Sequence, residues 1–243
     1  MIQDLKNDDW QKQFNGLDTL RSFLQFHTQT LLNSPNFNLH NIVSDILKAV
    51  ESLRSNVAKN ALITLNEMSQ VLKKQLDAEA DTVLLRLIKK GNDSNNFIAD
   101  EVKKTITAIA QNCSDIKMIP CLASLTNHKA IPAKINICLC LEAIIQRNEG
   151  KVNQLRDFDR LVIMLGNYLL DGAQEVRNVA KRATTQLIKQ SFSRGEIERI
   201  FQRSFNEINY GKLLSILDKE LGQATTSPLT ITHTQSNPFI ILS

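Results

Sequence analysis

A short pattern recurs along this chain: a few polar residues, a helix-starting residue, then apolar residues at helical spacing. It is clearest in Leu53-Arg54-Ser55-Asn56-Val57-Ala58-Lys59-Asn60-Ala61-Leu62-Ile63-Thr64-Leu65. There Ser55 can start a helix, and Val57, Ala61, Leu62 and Leu65 fall at i, i+4, i+5 and i+8 on one buried face. Similar openers occur at Asp9-Trp10-Gln11-Lys12-Gln13-Phe14, Asn96-Phe97-Ile98-Ala99-Asp100-Glu101-Val102, Ile131-Pro132-Ala133-Lys134-Ile135 and Gln174-Glu175-Val176-Arg177-Asn178. Aligning the apolar residue of each opener selects Trp10, Val57, Ile98, Ala133 and Val176, with steps of 47, 41, 35 and 43 residues. Steps that scatter around roughly 40 to 47 residues are those of stacked helix pairs, in which each unit buries its face against its neighbours.

Composition agrees with helices and leaves little room for sheet. The 243 residues include only 8 Gly and 5 Pro, and few windows alternate with period two. The 42% hydrophobic content is enough for a sizeable core. The expected fold is all-α, an α-α superhelix of HEAT-repeat type with about five to six helix pairs. The first pair is expected from about Trp10 to Gln25 with Leu39 to Val50, and the second from Ser55 to Leu72 with Ala78 to Lys90, closed by a left-handed cap at Gly91. The third opens after Asn95-Asn96 and returns through Ile116 to Leu125, with Pro120 in its first turn. The fourth uses Lys134 to Gln146 and Gln154 to Leu170, the fifth Gln174 to Gln190 and Arg194 to Phe205, and a last helix from Tyr210 to Leu221 closes the stack. Residues 1–222 are read as one repeat domain. Residues 223–243, rich in Thr, Ser, Gln and Pro with an apolar end at Pro238-Phe239-Ile240-Ile241-Leu242, are read as a flexible tail.

Several classes of function find no support. The start, Met1-Ile2-Gln3-Asp4-Leu5, has no apolar signal core, and no run approaches the roughly 18 apolar residues of a membrane span, so a soluble intracellular protein is expected. Cys113, Cys121, Cys138 and Cys140 lack CxxC spacing and sit among apolar helical neighbours, which suits reduced core thiols rather than metal ligands. His27, His40, His128 and His233 are scattered without a cysteine partner. Phosphate loops, HExxH and GxSxG are absent, so neither an enzyme nor a cofactor is expected. Nucleic-acid binding is disfavoured, because 29 basic residues are diluted by 25 acidic ones and are not interleaved with aromatics.

Trp10 after Asp8-Asp9, the Leu53-Arg54-Ser55-x-Val57 opener, Asn96-Phe97-Ile98, and the stretch from Asp171 through Arg177 to Lys181 together resemble a TOG domain, a tubulin-binding HEAT array. Leu76-Asp77-Ala78-Glu79, Leu87-Ile88-Lys89-Lys90-Gly91 and His128 are similar to the TOG domains of ciliary crescerin proteins in particular, with the CLASP group next. The resemblance covers roughly residues 5 to 220.

The resemblance implies that the opener loops form one ridge that contacts α/β-tubulin or the microtubule lattice. Position by position, Trp10 is implied as an apolar anchor with Lys12 beside it, Arg54, Ser55, Val57 and Lys59 as the second loop, Phe97 and Ile98 as the third, Lys134 as the fourth, and Arg177 with Lys181 as the fifth. Tubulin surfaces are acidic, so a line of cations steers encounter while one aromatic in a desolvated pocket supplies a hot spot. The sequence departs from the family pattern at Ala99, where a basic residue is usual, and at Gln13, where Arg is usual. The function implied is association with ciliary or axonemal microtubules in the cytoskeleton, without nucleic acid or membrane. The rival is a HEAT-repeat scaffold of the axoneme that contacts other axonemal proteins and does not take free tubulin.

Overall fold

The structure, a computed structural model, describes residues 2–35, 37–191 and 194–224. These residues form thirteen α-helices: α1 (Ile2–Leu5), α2 (Trp10–Phe26), α3 (Thr28–Leu32), α4 (Leu39–Val50), α5 (Ser55–Leu72), α6 (Ala80–Lys90), α7 (Asn96–Asn112), α8 (Asp115–Leu125), α9 (Ile131–Arg147), α10 (Phe158–Leu169), α11 (Gln174–Ser191), α12 (Arg194–Ser204) and α13 (Glu207–Ala224). Two 3-10 segments, Lys73–Ala78 and Val152–Gln154, complete them, and the described residues contain no strand. The expected tail lies, beyond its first two residues, outside the described residues.

The helices make two layers. α2, α5, α7, α9 and α11 lie side by side in one, and α4, α6, α8, α10 and α12 in the other. Between them runs one hydrophobic core, which takes the expected stripe Val57, Ala61, Leu62 and Leu65 and, at similar helical spacing, Leu17, Leu20 and Leu24; Val83, Leu84, Leu87 and Ile88; Val102, Ile106 and Ile109; and Leu161, Leu165 and Leu169.

The pairing differs from the expectation by one helix. α5 packs along α4 and barely touches α6; likewise α6 packs on α7, α8 on α9, α10 on α11, α12 on α13 and α1 on α2. Each opener therefore starts the second helix of its pair, and the opener loop is the turn inside the pair. The connections Glu51–Arg54, Gly91–Asn95, Thr126–Ala130 and Leu170–Ala173 are short enough to fold the chain straight back. The 3-10 segments lie on the other side, where the chain steps across to the next pair.

Side chains reaching across to the previous helix set the register of the opener layer. Asn60 Nδ2 donates to the Phe14 carbonyl (3.3 Å) and to Asp18 (2.9 Å), Thr105 Oγ1 to the Leu62 carbonyl (3.1 Å), and Cys140 Sγ to the Ile106 carbonyl (3.8 Å), while Arg182 pairs with Glu142. Phe14 and Asn60 are the fifth and sixth residues of their helices, Leu62 and Thr105 the eighth and tenth, Ile106 and Cys140 the eleventh and tenth. Glu142 and Arg182 are the twelfth and ninth. Contacts at matching depth mean that α2, α5, α7, α9 and α11 run parallel, with their starts along one edge of the layer.

Local differences have local causes. α9 begins at Ile131, ahead of the expected Lys134, because Pro132 falls in its first turn, where the ring costs no hydrogen bond. Pro120 is the sixth residue of α8 and so lies in the second turn, where the bond to the Ile116 carbonyl is forgone. The 3-10 turn at Val152–Gln154 delays α10 to Phe158, and α13 runs from Glu207 to Ala224, longer than expected at both ends. Gly91 is right-handed (φ −62°), not the left-handed cap expected. Its lack of a side chain serves close approach instead, since a Cβ there would stand 2.2 Å from Asn136 Nδ2.

Candidate functional site

The five starts along the shared edge are built alike. In each loop a side chain accepts a hydrogen bond from the backbone N–H two residues on: Asn7 from Asp9 (3.0 Å), Ser52 from Arg54 (3.2 Å), Asp93 from Asn95 (2.9 Å), His128 Nδ1 from Ala130 (3.2 Å) and Asp171 from Ala173 (2.9 Å). Every acceptor stands three residues before its helix begins. Asx- and Ser-type turns of this kind hold the chain out of helical geometry just before the start. Two starts are also capped, with Asp9 accepting from Gln11 N (2.9 Å) and Asn95 from Phe97 N (3.0 Å). At Asp93 the amide of Asn95 and then the Lys90 ammonium hold the carboxyl below the usual carboxylate range.

Aligning the turns corrects the alignment of openers. Val57, Ile98, Ala133 and Val176 are each the third residue of their helix and are buried, whereas Trp10 is the first residue of α2 and is 37% exposed. Val57 (0%) and Ile98 (3%) belong to the core, so the contact surface implied for them is corrected: they seat the second and third loops from beneath. The third residue of α2 is Lys12, which is exposed.

The structure joins the first two loops and the last two. The Arg54 guanidinium lies 4.9 Å from the centroid of the Trp10 ring, a cation–π contact between α2 and the loop before α5. Ser55 and Lys59 are exposed beside it, and Phe97 at the start of α7 is 79% exposed. Farther along, Lys134 Nζ lies 2.6 Å from Asp171 Oδ2, linking α9 to the loop before α11. Arg177 Nη1 donates to the carbonyls of Asp171 (2.6 Å) and Gly172 (2.8 Å) and bonds Gln174 through its other nitrogen. Burial would raise the Asp171 carboxyl, but the Lys134 ammonium and the Ala173 amide outweigh it and hold the group below the usual range. Lys134 and Arg177 are thus engaged within the protein, and Lys181 is half-buried and also has a partner in the chain.

Two exposed apolar residues on this edge escaped the sequence reading. Leu53 in the second loop is fully exposed, and Ile131, the first residue of α9, is 43% exposed. The signal available was a large apolar residue at a position that in neighbouring repeats is polar.

Elsewhere the chemistry is quiet. Burial pushes the thiols of Cys113 and Cys121 up to about 12 and those of Cys138 and Cys140 up as well, which suits inert core residues. A cavity of about 440 Å³ opens near the ends of α7 and α9, where Arg147 is spent on Asp115 and the Cys113 carbonyl. Among the described residues no group of three His, Cys, Asp or Glu is placed to hold a metal ion, and no helix is long and apolar enough to cross a membrane.

Comparison with known proteins fits this architecture. Human TOG array regulator of axonemal microtubules protein 1 is 32% identical over 115 residues, covering 47% of this chain and 6% of that protein. The Caenorhabditis elegans crescerin-like protein che-12 is 21% identical over 193 residues, covering 77% of this chain and 15% of that protein. The chain therefore spans only a small part of the length of the relatives it matches. The crystal structure of the MAST/Orbit N-terminal domain superposes with a TM-score of 0.68 at 16% identity, covering 93% of this chain and 96% of that one. A structure from crescerin, a protein that uses a TOG domain array to regulate microtubules in the primary cilium, superposes with a TM-score of 0.67 at 16% identity, covering 99% of this chain and 97% of that one. The stack of helix pairs is thus the TOG fold, and the family model for the CLASP N terminus matches residues 3–207, so that the chain belongs to the CLASP N-terminal family.

Proposed function

We propose that this chain binds α/β-tubulin, as the free dimer or in the microtubule lattice, through the edge formed by the starts of α2, α5, α7, α9 and α11. The observation that carries this reading is the contact of Arg54 with Trp10, which presents one aromatic ring and one cation together on an exposed edge. Lys12 and Lys59 add exposed positive charge beside them, and Phe97 adds a second apolar group. Such a mixture suits an acidic partner that offers apolar pockets between its charges. In this reading Arg54, Ser55, Lys12 and Lys59 contact the partner, Lys134 and Arg177 shape the fourth and fifth loops, and the chain acts by binding, without chemistry on a substrate. Residues 1–222 act as one unit. Relatives named for axonemal microtubules and for the primary cilium support a place on ciliary microtubules.

The test is co-elution of the purified chain with purified tubulin on size exclusion. The complex is expected with the native chain and lost with Trp10→Glu; unchanged co-elution of the variant contradicts the assignment. A second reading, an axonemal scaffold that contacts other axonemal proteins and does not take free tubulin, is favoured by the internal engagement of Lys134 and Arg177 and by the uncharged Ala99. It predicts no complex with free tubulin and stable retention on isolated axonemes.

A further inference from the structure

We propose that Leu53 and Ile131 are binding residues for the same partner, so that the edge carries an apolar contact line of four side chains, one from each of its first four loops. The inference rests on the tubulin reading and specifies how that surface is held. Trp10 is the first residue of α2, Leu53 stands two residues before α5, Phe97 is the second residue of α7 and Ile131 the first of α9. All four are exposed large apolar groups. In the fifth loop the corresponding positions are Gly172, Gln174 and Glu175, so the line stops where the Lys134–Asp171 clamp begins.

Single exposed apolar residues are ordinary, and one per loop at four consecutive helix starts is not the scatter expected of them. The remaining exposed large apolar groups lie off this run of four loops: Phe26 at the far end of α2, Val71 at the far end of α5, Leu85 within α6, Ile116 at the start of α8 in the other layer, and Ile208 at the start of α13, beyond the fifth loop that carries none. Packing does not require Leu53 to be apolar, because its side chain is fully exposed in this chain. Lys12, Arg54 and Lys59 flank the line with positive charge, and the occupant that fits is the acidic tubulin surface: carboxylates meet the cations while apolar patches between them cover Leu53 and Ile131.

The experiment is titration of the purified chain with fluorescently labelled tubulin at several salt concentrations, using Leu53→Ser, Ile131→Ser and the double variant, with Phe26→Ser and Leu85→Ser as off-line comparisons. Each edge variant is expected to weaken binding by about fivefold or more and the double variant by roughly 20-fold or more, as for apolar contacts covered in a complex. The salt dependence should stay that of the native chain, since no charge is lost. The off-line variants should bind as the native chain does, and melting temperatures confirm that all are folded. If the double variant binds within about twofold of the native chain while Trp10→Glu abolishes binding, the contact line is overturned and the tubulin reading stands. If the native chain itself does not bind, both fall.

Discussion

The Arg54 guanidinium sits 4.9 Å above the Trp10 ring, so the first and second loops of the edge share one contact although they come from different helix pairs. Trp10 is the only tryptophan in the chain, and its fluorescence reports this site alone. Arg54→Ala should shift the emission of Trp10 and increase its quenching by iodide, while stability falls by no more than about 1 kcal/mol, as expected for an exposed cation–π pair. Emission and quenching unchanged from the native chain would mean that the two side chains do not meet in solution.

Asp171 holds the other end of the edge together through Lys134 and the Ala173 amide. Both side chains of the pair are mostly buried, at 21% and 13% exposure, so the bond is screened less than a surface pair. Asp171→Asn should lower stability at neutral pH by about 1–2 kcal/mol. The folded carboxyl is held below its ordinary value, so its contribution is present above about pH 4 and is lost as pH falls from there through the folded pKa. Denaturation of the native chain and of Asp171→Asn should therefore differ at pH 7 and converge in acid. A constant difference down to pH 2 would show that the carboxylate charge is not what matters.

Gly91 and Asn136 meet in the core between α6 and α9, and neither amide atom of Asn136 has a hydrogen-bond partner among the described residues. Gly91→Ala forces the two together and should cost about 1–3 kcal/mol, measured by chemical denaturation. Adding Asn136→Ala should recover most of that loss, because it removes both the clash and the unsatisfied amide. Additive losses in the double variant would contradict the packing described.

Hydrophobic periodicity and helix-starting residues placed the starts of α2, α4, α5, α7 and α11 and the buried stripe of α5, because those depend on residues a few positions apart. Periodicity assigned the opener helices α2, α5, α7 and α11 to the wrong partner, since the period shows that a face is buried but not against which neighbour. Val57 and Ile98 entered the contact surface through the family resemblance, although the periodicity of its opener already set Val57 on a buried face. As the third residues of α5 and α7 both are buried, and the turns at Asn7, Ser52, Asp93, His128 and Asp171 put the five helix starts in one register. The partner of Lys134 was hidden because Asp171 lies in the next repeat. Leu53 went unremarked as a contact residue because one leucine in a polar loop carries no period at all.

The proposed partner sits on the shared edge of helix starts. Hydrogen–deuterium exchange of the chain with and without tubulin tests it most directly. Protection is predicted at residues 7–12, 51–56, 93–98, 128–134 and 171–177, with the opposite ends of α5, α7 and α9 unchanged. Protection confined to those opposite ends, or to the outer face of α4, α6 and α8, would contradict the account.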